Sequence, residues 1–230
     1  MPQAAVMRDL FDRVAGRYDL ANRVLSAGID VRWRRAVAQE VMRNHPQAIL
    51  DICSGTADQA IAFREQGFKG TVICTDISGE MLRLGRKKCD KKNIGHAAVL
   101  SDVHHLALRG GIFDCATICF GVRNFDDIAG GLKEVGRVLR PGGRIVILEF
   151  TPPASVVTKS LYQAYLTKVL PWIGGLLTGQ RTAYRYLASS IQGFLTPEEL
   201  GVRLESAGFA HVRHRFLTSG VVALTTAHKK

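Results

Sequence analysis

Five short apolar runs between Ala48 and Phe150, set apart by stretches of helical periodicity, constrain this chain more than any other feature. AILDIC (48–53), TVICTD (71–76), AAVL (97–100), FDCATICF (113–120) and RIVILEF (144–150) are continuous enough in apolar residues to be buried strands. Residues 56–66, 78–92 and 126–139 have the spacing of amphipathic helices. Strands alternating with helices make βαβ units, and such units assemble a parallel sheet. Two further runs, HVRHRFL (211–217) and VVALTTA (221–227), follow a helix that opens at Thr196-Pro197-Glu198-Glu199 and closes before Gly208. The pattern is α/β: a doubly wound, mostly parallel sheet of seven strands. A sheet of this kind takes its ligand beyond the C-terminal ends of the strands, where strand order reverses. The loops after 53, 76, 100 and 120 are therefore the ones that matter.

The remaining segments break that rhythm. Residues 1–47 are rich in Arg and carry Leu10, Phe11, Val14, Tyr18, Val24 and Leu25 at helical spacing. Residues 151–195 begin at Pro152-Pro153, continue as an aromatic and Leu-rich helical stretch, and are interrupted at Pro171 and Gly174-Gly175. One domain over 1–230 accounts for this: an N-terminal helical cover (1–47), a ligand-binding core (48–150), a helical insertion (151–195) and a closing helix with two strands (196–230). The two helical segments are expected to close the open edge of the sheet, with Tyr18, Asn22, Tyr184 and Arg185 on the acceptor side. Residues 161–177 either fill a core or line a lipid-substrate pocket.

Composition bears on compartment and partners. Lys and Arg number 31 against 20 Asp and Glu, a net charge of +11, which suits an anionic membrane surface, a nucleic acid or an acidic substrate. The run Arg83, Arg86, Lys87, Lys88, Lys91, Lys92 is either a solvated helix face or a contact for anionic lipid or RNA. No RNA-binding module or aromatic-basic patch accompanies it, so no nucleic-acid partner is expected. The cysteines number five, an odd count without a C-x-x-C pair, and read as small buried hydrophobes in a reducing compartment. Met1 to Leu10 has no signal-peptide core, and the most apolar stretch, Val169–Leu177, is too short to span a bilayer. A cytoplasmic protein, peripheral at the inner face of the membrane, is the expectation. The seven histidines show no zinc-ligand spacing, and no metal is expected.

The first strand leads into Asp51-Ile52-Cys53-Ser54-Gly55-Thr56-Ala57-Asp58. Gly55 lets the backbone approach a ligand. Asp76, 21 residues on, ends the second strand, and an acidic residue at that distance can accept both hydroxyls of a ribose. Asp76 could otherwise cap the helix that starts near Ser78. A pyrophosphate-binding turn needs G-x-G-x-x-G, but a single glycine stands here, followed by Asp58. A carboxylate at that point suits a cationic ligand, and S-adenosylmethionine carries a sulfonium and an ammonium. Asp102-Val103 after the third strand can meet an adenine. Cys119 and then Phe120-Gly121-Val122-Arg123-Asn124 close the fourth.

The ordered set of motifs resembles the UbiE/MenG family of ubiquinone and menaquinone C-methyltransferases, within the class I methyltransferases. The resemblance rests on Tyr18-Asp19-Leu20-Ala21-Asn22, Leu25-Ser26-Ala27-Gly28-Ile29, Trp33, Phe120 to Asn124, the R-V-L-R-P-G-G run leading to Glu149-Phe150, Tyr184-Arg185-Tyr186-Leu187, Ala207-Gly208-Phe209 and Leu217 to Leu224. It covers nearly the whole chain. Departures are Ala21 for the usual Met, Asp30 for His, Ala57 for Gly, Arg140 for Lys and Thr151 for Ser. Asp102 and Cys119 stand where Asn and Ser are frequent. The resemblance implies S-adenosylmethionine as methyl donor, held by Asp51, Gly55, Thr56, Asp76, Ile77, Asp102, Val103 and Cys119. It implies a prenylated hydroquinone as acceptor, of the demethylmenaquinol type. Arg123 is then expected to stabilise the acceptor's phenolate, with Asn124 orienting its hydroxyl. The other reading of Arg123 is an ion pair with a carboxylate that holds the loop. A homodimer is compatible with all of this. The alternatives are methylation of another aromatic, lipid or RNA acceptor, or a non-enzymatic membrane adaptor that binds the same cofactor.

Overall fold

The apolar runs become strands. The computed structural model describes the backbone of residues 4–152 and 156–230, and the side chains of all of these except 156–159. Pro153 of the Pro-Pro break lies outside the described residues. Strands β1 (Ala48–Ile52), β2 (Thr71–Asp76), β3 (Ala97–Leu100), β4 (Phe113–Cys119), β5 (Leu139–Phe150), β6 (Phe209–Leu217) and β7 (Val222–Lys229) form one sheet in the order β3-β2-β1-β4-β5-β7-β6. Neighbours from β3 to β5 pair in parallel, and β7 runs antiparallel to both β5 and β6. Strand order reverses between β1 and β4. That puts the loop after Ile52 beside the loop after Cys119, as a ligand-binding switch point requires.

Helices α4 (Asp58–Glu65), α5 (Gly79–Lys91) and α6 (Ile128–Val138) cross between strands, and α10 (Pro197–Ser206) precedes β6. Two start signals work as the sequence suggests. The Ser78 hydroxyl caps α5 by accepting from the Met81 N–H at 3.0 Å. Thr196 and Glu199 form a reciprocal capping box at α10. Apolar cores lie on the two faces of the sheet, one built on Phe63, Cys74 and Leu148, the other on Leu50, Ile118 and Phe209.

Pro141-Gly142-Gly143 forms a bulge inside the last parallel strand. Leu139 pairs with Phe113, the register then shifts, and Arg144 pairs with Cys115. Gly142 takes the left-handed φ of +72° that the bulge needs.

The covers consist of α1 (Ala4–Val14), α2 (Tyr18–Leu25) and α3 (Ile29–Met42) at the N-terminus, with α7 (Val156–Ala164), α8 (Leu170–Thr178) and α9 (Arg181–Gln192) in the insertion. They share a third core that includes Val14, Ala21, Leu166, Leu170, Tyr184 and Ile191. The glycine pair does not interrupt α8, but the regular helix does break at Pro171: a π-helical turn, Tyr165–Val169, joins α7 to α8 immediately before it. A Cβ on Gly174 would lie 2.3 Å from the Tyr184 ring, so the glycine is there to let α9 approach. All five cysteines are free thiols, four of them buried and Cys53 half-buried.

Candidate active site

Two cavities open at the switch point and meet. The first lies over the ends of β1, β2 and β4. Gly55, Asp76, Ile77, Asp102, Val103 and Cys119 line it, as anticipated. The loop after β1 is wound tightly, with Cys53, Gly55 and Ala57 all at left-handed φ of +53°, +53° and +65°. The family's usual glycine at 57 suits that conformation, and Ala57 adopts it with a methyl group in place. Asp76 staples the two loops together. One carboxylate oxygen accepts the Gly55 N–H at 2.8 Å and the other the Ser78 N–H at 2.9 Å. Burial pushes its pKa up, against the pull of those N–H groups. A carboxylate oxygen has two lone pairs, so each keeps one for a ligand. At Asp102 burial opposes ionisation, but the His104 N–H at 2.9 Å and its Nδ1 at 2.8 Å outweigh it and hold the carboxyl below its ordinary range. Cys119 donates to the Gln59 Oε1 at 3.4 Å.

Two expected cofactor residues do not line this cavity. The Thr56 hydroxyl turns away to Asp19 at 2.5 Å and to the Lys88 ammonium at 2.9 Å. Asp51 lies behind the loop, with one oxygen accepting from the Thr117 hydroxyl at 2.7 Å and the other buried with no partner. Burial raises its pKa to about 7. Asp58 also differs from the sequence argument, being engaged by Lys88 at 2.6 Å and Arg34 at 3.9 Å. The basic run on α5 is correspondingly not one solvated face, since Lys88 points inward to these groups. What the cavity walls do show is sign. Asp76, Asp102 and Asp126 line them and no Lys or Arg does, which suits a cation and repels a pyrophosphate. Among the described residues no cluster of three or more His, Cys, Asp or Glu is placed to hold a metal.

The second cavity, about 260 Å³, lies under the covers and is mostly apolar and aromatic. Tyr18, Asn22, Tyr184, Arg123 and Asn124 line it, as expected. Arg185 does not. Adjacent helix residues project about 100° apart, so Tyr184 faces inward and Arg185 faces solvent. Tyr186, which sequence reasoning missed, reaches back instead, and its hydroxyl donates to Asn124 Oδ1 at 3.0 Å. Trp33, Phe120 and Phe150 form an aromatic wall, with centroids 4.6–6.1 Å apart. The Trp33 indole N–H donates to Thr218 Oγ1 at 2.8 Å. Asp30 is the one carboxylate on the lining among the described residues. It accepts from Arg23 at 2.9 Å and from the Ser26 hydroxyl at 2.8 Å, so here the family's usual histidine position carries an ion pair.

Arg123 does two things. Its Nη1 donates to the Phe120 carbonyl at 2.6 Å and to Glu149 Oε1 at 2.8 Å, in a pair whose side chains are 6% and 4% exposed. Its Nε–H is buried without a partner, and the residue lines the second cavity. Phe11, Tyr18, Phe120 and Asn124 border both cavities. They are the common wall. Two of the four come from the N-terminal cover, which carboxylates hold down on both loops: Asp12 on the Ser78 hydroxyl, and Asp19 on Thr56 and on Lys88 at 2.7 Å. No sequence signal marked the reach of Met7 into the first cavity, and only its helical spacing marked Phe11.

The sequence profile of the ubiE/COQ5 methyltransferase family matches residues 2–229. The chain belongs to that family. A demethylmenaquinone methyltransferase of Thermus thermophilus is 41% identical over 215 residues, 94% of this chain and 97% of that protein. A ubiquinone/menaquinone biosynthesis C-methyltransferase UbiE of Syntrophotalea carbinolica is 41% identical over 217 residues, 94% of this chain and 91% of that one. Among solved structures, a SAM-dependent methyltransferase from Thermotoga maritima, described as a possible histamine N-methyltransferase, superposes with a TM-score of 0.66 at 18% identity, covering 97% of this chain and all of that one. Human N-acetylserotonin methyltransferase in complex with SAM does so at 0.65 and 15% identity, over 94% of this chain and 57% of that one. At such identities the structures speak for the fold, the class I methyltransferase sheet. Family membership makes the chain a methyltransferase.

Proposed function

We propose that this methyltransferase carries a methyl group from S-adenosylmethionine to a ring carbon of a prenylated hydroquinone, a demethylmenaquinol in the favoured case, while bound peripherally to an anionic membrane surface. One observation carries the reading: a small acidic nucleotide cavity and a larger aromatic cavity share a wall at Phe11, Tyr18, Phe120 and Asn124. The residues present fit the donor. Asp76 has lone pairs for ribose hydroxyls, Asp102 one free oxygen for an adenine amine, and the three aspartates favour its positive charges. When bound, the donor supplies an electrophilic methyl group.

The chain's own part is to place and polarise the acceptor. Burial pushes the phenols of Tyr165 and Tyr184 up to about 12 and raises Tyr18 as well. A quinol hydroxyl, with an ordinary pKa of about 10, meets the same desolvation. Glu149 offsets part of the charge on Arg123, and what remains favours the phenolate form of the acceptor over the neutral hydroxyl. Its role is that of a guanidinium on the cavity wall, fixed by Glu149 and the Phe120 carbonyl, for the oxygen where negative charge grows during attack. Asn124, set by Tyr186, orients the same hydroxyl.

The test is incubation with labelled S-adenosylmethionine and a panel of demethylmenaquinol, other quinols, bulk RNA and phospholipid. Label appears on the quinol ring; label in RNA or phospholipid, or in nothing, overturns the reading. Separately, Asp76→Asn is expected to weaken the donor at least tenfold by calorimetry, because charge-assisted bonds are worth roughly 1.5–3 kcal/mol each. Unchanged affinity removes Asp76 from the ribose. Membrane binding should rise with anionic lipid and fall with added salt in a flotation assay, since exposed charges are screened beyond about 8–10 Å.

A further inference from the structure

Helix α8 breaks a rule of globular helices. A soluble helix keeps one apolar stripe inward and polar residues outward. LPWIGGLLT has no charged residue at all, yet only part of it is buried. Leu170 and Gly174 face the insertion's core, while Trp172 is 62% and Leu176 72% exposed. Val169, Trp172 and Leu176, at spacings of three and four, make one outward stripe. Leu161 at the end of α7 is 69% exposed. Helix α2 packs against α8, and the Arg17 guanidinium donates to the Leu177 carbonyl at 2.6 Å. On α2, Leu20 and Val24 are exposed as well. The outer faces of two adjoining helices are thus apolar together. Such contiguous patches on soluble proteins mark contact sites.

Charge identifies the partner. From Phe150 to Pro197 the chain has no acidic residue and four basic ones. Lys168, Arg181 and Arg185 are exposed, as are Arg13 and Arg17 on the N-terminal side. An apolar stripe with an exposed Trp and a basic surround fits the interface of an anionic phospholipid bilayer. The same helices roof the acceptor cavity from within: Leu166 and Leu170 line it from the insertion and Leu25 from α2. We infer that the α2–α8 face lies on an anionic lipid bilayer and that the acceptor's hydrophobic tail runs between these helices from membrane to cavity. Arg185, which does not reach the cavity, acts here as a surface cation. This inference rests on the prenylated-acceptor reading above and adds the face and the route.

Trp172 and Leu176 lie outside both cavity linings, so the double variant Trp172→Glu/Leu176→Glu probes the face alone. Vesicles of phosphatidylcholine with and without phosphatidylglycerol are the probe, and Val202→Glu, an equally exposed apolar site on α10, is the comparison. The expected result is binding that favours phosphatidylglycerol. It should weaken at least about tenfold in the double variant, where two apolar side chains that enter the bilayer are replaced by charges, and stay unchanged in Val202→Glu. The double variant should also methylate a short-tailed, water-soluble quinol at the normal rate and lose activity on a long-tailed quinol in vesicles. Equal loss of vesicle binding in Val202→Glu, or none in the double variant, overturns the face. So does a double variant that only turns a dimer into a monomer, which would make this surface a subunit interface. Should the soluble quinol go unmethylated by the unaltered protein while vesicle binding behaves as stated, the acceptor reading fails and the bilayer face stands.

Discussion

Arg123→Met is expected to cost about 3–5 kcal/mol of stability before any chemistry is counted, because it leaves Glu149 buried without its cation. Methylation at neutral pH should fall by about 10²–10⁴. Stability alone would confuse the two roles, so the informative variant is Arg123→Met with Glu149→Gln. The amide keeps an acceptor for the Phe150 N–H, which the carboxylate now receives at 2.9 Å, and buries no charge. Urea unfolding should show most of the stability regained while the rate stays low. The rate of either variant should recover as pH climbs toward the quinol's own pKa, where ionisation no longer needs a donor. A double variant that regains rate along with stability assigns Arg123 to holding the loop.

Asp51 sets the second large effect, on pH. Its folded pKa of about 7 lies above the ordinary 3.8, so the folded state holds this proton more tightly than the unfolded one. The contribution is fully present below about pH 4 and is lost as pH rises through 7, where a half-partnered carboxylate must ionise in the interior. The difference amounts to at most about 4 kcal/mol between pH 4 and 8. Asp51→Asn removes it: the variant should gain on the parent steadily as pH rises, with the other titrating groups cancelling in the comparison. Unfolding profiles of the two that stay parallel from pH 4 to 8 would contradict this. A cationic donor nearby favours the ionised form, so its affinity should climb with pH in the parent and be flatter in Asp51→Asn.

What the sequence could carry was local. Buried strands announce themselves as apolar runs, and the glycine turn and Asp76 are separated by the distance that two adjacent parallel strands impose. Those features placed the first cavity. The second cavity depends on how the N-terminal helices pack against those of the insertion, which spacing alone does not encode. Tyr184 was legible as part of a motif, but its turn inward, with Arg185 outward and Tyr186 reaching Asn124, is set by the close contact at Gly174. Hydroxyls and charges were the hardest to place. Thr56, Asp58 and Lys88 each have partners within hydrogen-bond reach that lie 30 or more residues away.

The common wall has a thermodynamic meaning. Phe11 and Tyr18 belong to a cover whose carboxylates are tied to the hydroxyls of Ser78 and Thr56, on the loops proposed to receive the donor. A donor that stiffens those loops also stiffens the wall against which the quinol must lie, and a quinol pressed on that wall steadies the loops in return. The ordering entropy is spent once for two ligands. Their affinities are then linked with positive sign, and linkage is symmetric: whatever factor the donor gains from a bound quinol, the quinol gains from the donor. On the proposed reading the half-filled enzyme is the weakly held state, and the two molecules that must react hold each other in place.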